Sequence, residues 1–373
     1  MQPFPIKAGS IPLVTKLFSP LNLGRGPAMK NRFMLAPLTN LQSHPDGKLS
    51  EEEYHWLTLR AKGGFGLTMT CAAQVLARGQ GFAGQLGAFS DDHIPGLTRL
   101  ASGINAENSV SIAQLHHAGM RSPKDLIGQA PHCPSDDAET GAVAMTHEEV
   151  KDCIEAFIAA AVRAEKAGFH GVELHGAHGY LICQFLSPEI NRRGDEFGGS
   201  LENRARPLRM MIDGIRARCA ADFILGVRLS PERFGLKMGE ILTLSQELMA
   251  EGKIDFLDMS LWDCFKQPNE EEFKSHNLIR WFTRLNRYQV KLGVAGNIRT
   301  PADLERVMAE GVDWVMLGRA AIIHHDFPLQ MHANPDFTPL ELPVSKAHLT
   351  AEGVSANFLN YLSSWKGFVA ETE

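Results

Sequence analysis

The sequence repeats one unit, in which an amphipathic helix is ended by a glycine and followed by a short apolar run. One copy opens with the capping-box pattern Thr146–Glu149, continues at helical spacing and reaches Gly168 before the apolar run Gly171–Leu174. A second copy runs from Thr300 to Gly311 and is followed by Trp314–Leu317. Short continuous apolar runs are typical of strands buried on both faces of a parallel sheet.

Eight such apolar runs occur along the 373-residue chain, and helical segments alternate with them. This number predicts one domain over residues 1–373, folded as a single (β/α)8 TIM barrel. A doubly wound sheet is the alternative. The expected strands are Phe33–Pro37, Leu67–Thr70, Val110–Leu115, Gly171–Leu174, Ile224–Leu229, Asp255–Met259, Val290–Val294 and Trp314–Leu317.

Three segments depart from the repeat. Residues 1–31 precede the first strand and are expected to cap the barrel floor or its side. Residues 118–145, after the third strand, are polar and rich in Pro and Gly. They follow the end of a strand where barrels carry their active sites, so we predict a substrate lid, with a surface excursion as the alternative. Residues 325–343 are expected to be irregular, before a last helix over about 353–365.

Composition excludes several classes of partner. The net charge is −6 and the pI is about 6.2, without a basic cluster, so nucleic acid and anionic membranes are not expected partners. No apolar stretch is long enough for a membrane span, and the first ten residues lack a signal-peptide pattern, so we expect a cytoplasmic protein. The six cysteines form no C-x-x-C pair, and no metal site is predicted.

The turns after the last two predicted strands carry residues suited to a phosphate. Gly296 and Gly318 let backbone N–H groups approach an anion closely, and each turn leads into a helix. Asn297 follows the first glycine, and Arg319 adds a cation with bidentate donors after the second. The alternative is a pair of ordinary turns with a surface arginine.

The sequence after the fourth strand places two imidazoles and a phenol together, as His175, His178 and Tyr180. The imidazoles could hold a carbonyl oxygen, and a phenol with a reference pKa of about 10 stays protonated and can donate a proton. A metal-binding pair or a buried structural pair are the alternatives. Arg228 ends the fifth strand and needs an anionic partner, either a structural one such as Glu173 or a bound ligand.

Together with longer motifs, these residues resemble the Old Yellow Enzyme family of flavin-dependent ene-reductases. The most specific stretch runs from Gly171 to Arg204 and contains H-G-A-H-G-Y-L, Q-F-L-S-P, D-E-F-G-G-S and E-N-R. The likeness covers nearly the whole chain. Further matching segments are Leu17–Leu21, Met29–Thr39, Asp46–Leu49, Gly63–Leu67, Gln114–Gly119 and Gly318–Arg319.

The resemblance implies a tightly but non-covalently bound FMN across the barrel mouth. It places Thr39 beside the flavin carbonyl near N5, Gln114 at the pyrimidine edge, and Arg228 near N1 and O2, where negative charge gathers on reduction. The residues implied to contact FMN are Ala36, Pro37, Leu38, Thr39, Ala72, Gln114, Arg228, Gly296, Asn297, Gly318 and Arg319.

The resemblance also implies a reaction in two halves. NADH or NADPH reduces the flavin and leaves, and an α,β-unsaturated carbonyl compound (an enone, enal or maleimide) then binds at the same site. His175 and His178 hold its carbonyl oxygen, flavin N5 gives hydride to the β-carbon, and Tyr180 protonates the α-carbon from the opposite face. The family includes monomers and larger assemblies, which is compatible with a homo-oligomer.

Some positions depart from the family pattern. Met120 stands where many relatives have arginine, with Arg121 next, so the contacts of that loop are open. Thr39 replaces the cysteine of one branch, and His178 replaces the asparagine of others. The branch that reduces dienoyl thioesters is disfavoured, because its cysteine cluster beyond the barrel is not found in this sequence.

Two other functions remain as alternatives to the ene-reductase. One is a flavin-free barrel enzyme acting on a sugar phosphate, such as an aldolase or isomerase, although candidate lysines at strand ends are lacking. The other is a non-catalytic flavoprotein that binds phenols or nucleotides.

Overall fold

The computed structural model describes residues 13–371, and within that range eight parallel strands close into a barrel. The first strand pairs with both the second and the last, so no sheet edge is left open. The prediction of a (β/α)8 barrel is confirmed, and closure excludes the doubly wound sheet. We number the strands β1 to β8: Phe33–Leu35, Leu67–Gln74, Val110–His116, Gly171–Gly176, Ile224–Leu229, Phe256–Ser260, Lys291–Ala295 and Trp314–Leu317.

Helices alternate with the strands and bury their apolar faces against the outside of the barrel. The longer helices are Glu51–Lys62, Ile94–Asn105, His147–Lys166, Leu201–Arg218, Met238–Glu251, Pro301–Ala309 and Ala356–Ser363. The shorter helices are Leu13–Leu17, Lys124–Ile127, Leu181–Leu186, Leu278–Thr283, Arg319–Ile323, Phe327–Ala333 and Lys346–Ala351. Single 3₁₀ turns occupy Ala77–Gly79, Asp91–His93, Gly119–Arg121 and Glu271–Phe273.

Local signals set the ends of the predicted helices. The Thr146 hydroxyl accepts the N–H of Glu149 at 3.2 Å, and the Glu149 carboxylate accepts the N–H of Thr146 at 2.8 Å. This capping box satisfies two N–H groups that the helix cannot, which confirms the predicted start. Gly252 ends its helix with a φ of 66°, a conformation that favours glycine.

Strand side chains alternate between two apolar clusters. Outward residues pack against the helices, and inward residues fill the barrel interior. Leu21 and Leu23 join the interior cluster, and Leu21 exchanges backbone hydrogen bonds with Met29 at 2.9 and 3.0 Å. This segment therefore closes the barrel floor, while residues 1–12 of the expected cap lie outside the described residues. The inward strand residues include Met34, Leu67, Met69, Val110, Ile112, Ile224, Phe256, Trp314 and Met316.

Three expectations about local structure are corrected. Strand β2 continues to Gln74, four residues beyond its predicted end, because an irregularity between Met69 and Ala72 lets pairing with β3 resume. The segment 325–343 is not wholly irregular, since it contains the helix Phe327–Ala333, which opens with Pro328 in its first turn. The last helix, Ala356–Ser363, is shorter than expected.

The excursion after β3, residues 118–145, has structure of its own. It contains a 3₁₀ turn, a four-residue helix, and a parallel pairing of His132–Cys133 with Val143–Ala144. Its action as a lid stays a prediction. Among the described helices, none combines the length and apolar character that a bilayer crossing requires.

The contact between β7 and β8 gives a test of the barrel packing. A Cβ added at Gly293 would lie 2.1 Å from the indole of Trp314, its register partner, which is fully buried. We expect Gly293→Ala to lower the free energy of unfolding by about 1–3 kcal/mol, because the added methyl group displaces a fully buried indole that packs against Phe256. Urea denaturation measures this. Gly194→Ala is the control, since its Cβ would meet nothing within 4 Å, and equal losses in both variants would contradict the prediction.

Candidate active site

The carboxyl ends of the strands surround a cavity of about 550 Å³. All the residues that the sequence analysis assigned to cofactor or substrate line this one cavity, although the chain separates the first and last by more than 280 positions. The structure thus brings the predicted site together, and their individual roles remain proposals. These residues are Ala36, Pro37, Leu38, Thr39, Ala72, Gln114, His175, His178, Tyr180, Arg228, Gly296, Asn297, Gly318 and Arg319.

The two imidazoles form a short hydrogen-bonded chain. His175 Nδ1 accepts the N–H of Ala177 at 3.3 Å, which assigns the proton of the neutral ring to Nε2. That Nε2–H donates to His178 Nδ1 at 3.3 Å, and His178 Nε2–H donates to the Ser260 hydroxyl at 2.6 Å. The backbone holds His178 at a φ of 60°, with its N–H on the Ser230 hydroxyl at 2.9 Å. Both rings are therefore fixed as donors.

Both imidazoles are neutral at physiological pH. Burial lowers the pKa of His175 well below its ordinary value, and the neighbouring His178 and Arg228 act in the same direction. Burial also lowers the pKa of His178, with Arg228 and Arg121 adding to the effect. Protonation would place further positive charge beside these arginines. The pair can thus donate hydrogen bonds without carrying charge.

Tyr180 lies between an imidazole and a guanidinium. Its ring packs edge-on against His175, with centroids 5.2 Å apart, and against His116, at 4.4 Å. The Arg121 guanidinium lies 4.5 Å from the ring centroid and donates to the carbonyl of His178. Burial raises the pKa of Tyr180, while the Arg121 charge opposes that rise. The loop whose contacts the sequence left open therefore delivers Arg121 to the phenol.

Four buried polar side chains lie inside the barrel next to the cavity. Gln114 Nε2 donates to Glu173 Oε1 at 2.7 Å, and Arg228 Nε lies 3.1 Å from Asp258 Oδ2. The suggested pairing of Arg228 with Glu173 is therefore wrong. The parallel register explains the difference, because Arg228 lies opposite Asp258 on β6, whereas Glu173 on β4 lies opposite Gly226.

Two guanidiniums line the cavity beside the turns that follow β7 and β8. Arg319 was predicted there, and Arg299 was missed because it follows the Gly296 turn by three residues. Burial lowers the pKa of Arg319, and the charge of Arg299 lowers it further. In the part of the chain that the structure describes, neither side chain forms an ion pair with a carboxylate. A bound anion would relieve this repulsion.

Several lining residues lacked a usable sequence signal. Ser260 ends β6 one residue beyond the predicted strand, so only a correct strand boundary would have found it. Trp262 lies in the next loop, is 65% exposed and has the Arg233 guanidinium 4.3 Å from its ring. Tyr361 and Trp365 come from the last helix and the turn after it, far from any strand end. The other missed residues are Phe82, Asp263, Ala295, Ile298, Arg299 and Met316.

The residues present fit a flavin mononucleotide. Because Gln114 directs its Nε2 to Glu173, its carboxamide oxygen is free to accept from a ring N–H at the cavity. Arg228 is buried, and its Nε makes no full hydrogen bond, so the guanidinium keeps donor capacity for a ring oxygen. The two arginines at the opposite end suit a phosphate dianion.

A second group of histidines lies apart from the cavity. His324, His348 and Glu352 bring ligand-type atoms within 4.8 Å of one another. His348 Nε2 donates to the carbonyl of Ile323 at 2.7 Å and leaves Nδ1 free. His324 Nε2, however, accepts the N–H of Leu340 at 3.0 Å, so its Nδ1 carries the proton and offers no lone pair. These contacts anchor the C-terminal helices and do not form a metal site.

Comparison with known proteins agrees with this geometry. Residues 16–335 match the family model described as NADH:flavin oxidoreductase / NADH oxidase family. The chain is 35% identical over 332 residues to the probable NADH-dependent flavin oxidoreductase YqiG of Bacillus subtilis, covering 86% of this chain and 88% of that protein. It is 34% identical over 337 residues to the NADH:fumarate oxidoreductase of Klebsiella pneumoniae, covering 86% of this chain but 36% of that one.

Solved structures give the same result. The Old Yellow Enzyme homologue from Zymomonas mobilis superposes with a TM-score of 0.76 at 25% identity, covering 91% of this chain and 98% of that chain. The site and fold define an FMN-dependent barrel oxidoreductase. The chain belongs to the NADH:flavin oxidoreductase / NADH oxidase family, of the Old Yellow Enzyme type, with FMN as cofactor and NAD(P)H as reductant.

Buried histidines beside the site give a pH-dependent prediction. Burial lowers the pKa of His117 to about 3, whereas unfolded histidine has a pKa of about 6.5. The folded state therefore binds fewer protons, and this stabilisation is lost as the pH falls below about 6.5, at about 1.4 kcal/mol per pH unit.

We expect His117→Asn to make the decline in unfolding free energy shallower by one proton between about pH 6 and pH 4. The asparagine oxygen can replace Nδ1, which accepts the N–H of Gly119 at 3.0 Å, so the fold keeps that contact. Urea denaturation across this pH range measures the slope. Equal slopes in the variant and the original protein would show that His117 titrates normally in the folded state.

Proposed function

We propose that this protein is an ene-reductase that reduces the activated C=C bond of α,β-unsaturated carbonyl compounds such as enones, enals and maleimides. The observation that carries the proposal is the meeting of His175, His178 and Tyr180 in the cavity that Gln114 and Arg228 also line. When bound, FMN supplies the hydride for the β-carbon, after NAD(P)H has reduced it. A relative named for fumarate, itself an activated alkene, supports this reaction class.

His175 and His178 bind the carbonyl oxygen of the substrate. In the protein alone, His175 Nε2–H donates to His178 Nδ1, and His178 Nε2–H donates to Ser260. When the substrate binds, its oxygen replaces both of these acceptors. Both rings are neutral, and they stabilise negative charge that develops on the oxygen as the double bond is reduced. Because both N–H groups already donate to that oxygen before the hydride arrives, little reorganisation is needed during the step.

Tyr180 donates the proton to the α-carbon. Burial raises its pKa, which keeps the phenol protonated at neutral pH. After transfer, the phenolate lies beside the Arg121 guanidinium, which stabilises it until solvent returns a proton. The same tyrosine is thus a stable acid before the step and has a positive partner after it.

The remaining residues hold the cofactor. Gln114 and Arg228 would hold its polar ring edge, where Arg228 would balance negative charge. Residues 36–39 and Ala72 would line the ring, and Gly296, Asn297, Arg299, Gly318 and Arg319 would hold the phosphate. All of these groups belong to one barrel, so we propose that the chain acts as a single FMN-binding domain.

Replacing Tyr180 tests the proposed function. Tyr180→Phe keeps the ring and removes the acid, so alkene reduction should slow by about 10²–10⁴. Reduction of the flavin by NADPH should be largely spared, because that half-reaction needs no phenol proton. Anaerobic stopped-flow measurement of each half-reaction, with 2-cyclohexenone as the alkene, gives both rates.

The matched control is Tyr361→Phe, which removes a phenol from the same cavity without touching the imidazole pair. It should leave alkene reduction within a few-fold of the original rate. Equal slowing of both half-reactions in Tyr180→Phe would refute the role of proton donor. The proposed ene-reductase function would be refuted if the protein did not retain FMN, or if the enone did not reoxidise the reduced flavin.

A phenol titration tests the carbonyl-binding pair, since phenolates and enone oxygens are both acceptors. His178→Ala should weaken the binding of 4-hydroxybenzaldehyde by about 1–3 kcal/mol, the contribution of a buried hydrogen bond. Changes in flavin absorption report the binding. Ser260→Ala is the control, because it removes the competing acceptor and leaves both imidazoles, so affinity should be retained or increased. Unchanged affinity in His178→Ala would contradict the assignment.

A further inference from the structure

Two buried carboxyl groups inside the barrel take no direct part in the proposed reaction. Glu173 on β4 and Asp258 on β6 both occupy inward-facing strand positions and are fully buried. Glu173 accepts a hydrogen bond from Gln114, and Asp258 forms an ion pair with Arg228. Gln114 and Arg228 are the residues proposed to hold the polar edge of the cofactor. We refer to Glu173 and Asp258 as the carboxyl pair.

Hydrogen bonding within the carboxyl pair is incomplete if both groups are ionised. Glu173 Oε1 accepts from Gln114, but Glu173 Oε2 and both oxygens of Asp258 lack a well-formed hydrogen bond in the described structure. Buried acceptors without donors are costly, and Glu173 lies close enough to Asp258 for the Asp258 charge to repel a second carboxylate there. One proton on Glu173 Oε2, donated to Asp258, gives both groups a partner.

The electrostatics indicate which group keeps the proton. Burial raises the pKa of Glu173 well above its ordinary value, and the charge of Asp258 raises it further. Burial also raises the pKa of Asp258, but the Arg228 guanidinium opposes that rise. Asp258 is therefore the ionised member, 3.1 Å from Arg228 Nε, and Glu173 is the neutral acid.

We propose that the carboxyl pair shares a single proton at neutral pH and is a positioning unit for the cofactor. Glu173 fixes the carboxamide of Gln114, and Asp258 neutralises the charge of Arg228. The hydrogen-bonded chain runs from Gln114 to Glu173 to Asp258, where it meets Arg228, and its net charge is zero. This inference rests on the proposed position of FMN at Gln114 and Arg228.

The charge of the pair sets how strongly Arg228 favours reduced over oxidised FMN. Reduced flavin carries negative charge at its polar edge, so an unbalanced guanidinium would bind it more tightly relative to the oxidised form. The single negative charge of the carboxyl pair balances Arg228 and limits that preference. The ratio of the dissociation constants of oxidised and reduced FMN therefore measures the net charge of this group, independently of alkene turnover.

Three variants separate one shared proton from two ionised carboxylates. In Glu173→Gln the new carboxamide donates to Asp258 and accepts from Gln114, as the neutral acid does. In Asp258→Asn, the Asp258 charge no longer raises the pKa of Glu173, and the buried Arg228 guanidinium lacks its counter-charge, so Glu173 becomes the ionised member. Each single variant thus keeps one negative charge, and only the double variant loses it.

We expect each single variant to change the ratio of dissociation constants by less than about threefold. The double variant should raise it by about tenfold or more, which corresponds to about 30 mV for a two-electron couple. Fluorescence titration of the apoprotein, performed aerobically and then anaerobically with reduced FMN, gives both constants. If the changes in this ratio in the two single variants multiply to give the change in the double variant, both carboxylates are ionised and the proposal is wrong.

Infrared spectroscopy of the apoprotein tests the proton directly and needs no cofactor. At neutral pH, the difference spectrum between the original protein and Glu173→Gln should contain one carboxylic-acid C=O band. The difference removes any band from Glu53, another buried carboxyl group whose pKa burial raises. Asp258→Asn supplies a second such difference if the first variant does not fold. If the band is missing, the proposal of a shared proton is wrong. If the protein fails to bind FMN, the proposed function is wrong, but the carboxylic-acid band is still expected.

Discussion

The active site depends on placing a cation inside a closed barrel. Arg228 occupies an inward position of β5 and is buried, so a counter-charge must lie within the same interior. The parallel register places Asp258 of β6 directly opposite Arg228. Glu173 lies on β4, the strand on the other side of β5, and accepts a hydrogen bond from Gln114. A shift of one residue in that register would turn these side chains outward into the helical layer. Strand register and site electrostatics are thus one constraint.

The groups above the barrel interior are organised by where protons are held. His175 and His178 are kept neutral by burial and by nearby arginines, and their protons point along a defined chain to Ser260. Tyr180 retains its proton for the same reason of burial, but Arg121 favours the state without it. The two histidines and the tyrosine therefore differ in function, because a nearby arginine keeps each histidine neutral but favours the deprotonated form of Tyr180.

Much of the site could be predicted from the sequence, because the position of a residue along a strand is a local property. Apolar runs ended at Gln114, His175 and Arg228, and closure of the barrel brought those ends together. Pairing between strands was not readable, so Asp258 was missed as the partner of Arg228. Arg299 and Trp262 were missed because their places depend on loop conformation, which no sequence periodicity reports. The helix Phe327–Ala333 was missed because it spans only two turns.

The floor of the barrel has a consequence for how reactants meet. Leu21 and Leu23 plug one end, and large side chains such as Phe256 and Trp314 fill the space above them. Ligands can then enter the described barrel only at the carboxyl ends of the strands. On the proposed function, NAD(P)H and the alkene therefore compete for the same binding site. An alkene at high concentration would occupy the oxidised enzyme and block its reduction by NAD(P)H. The turnover rate would then depend on the ratio of alkene to NAD(P)H concentration.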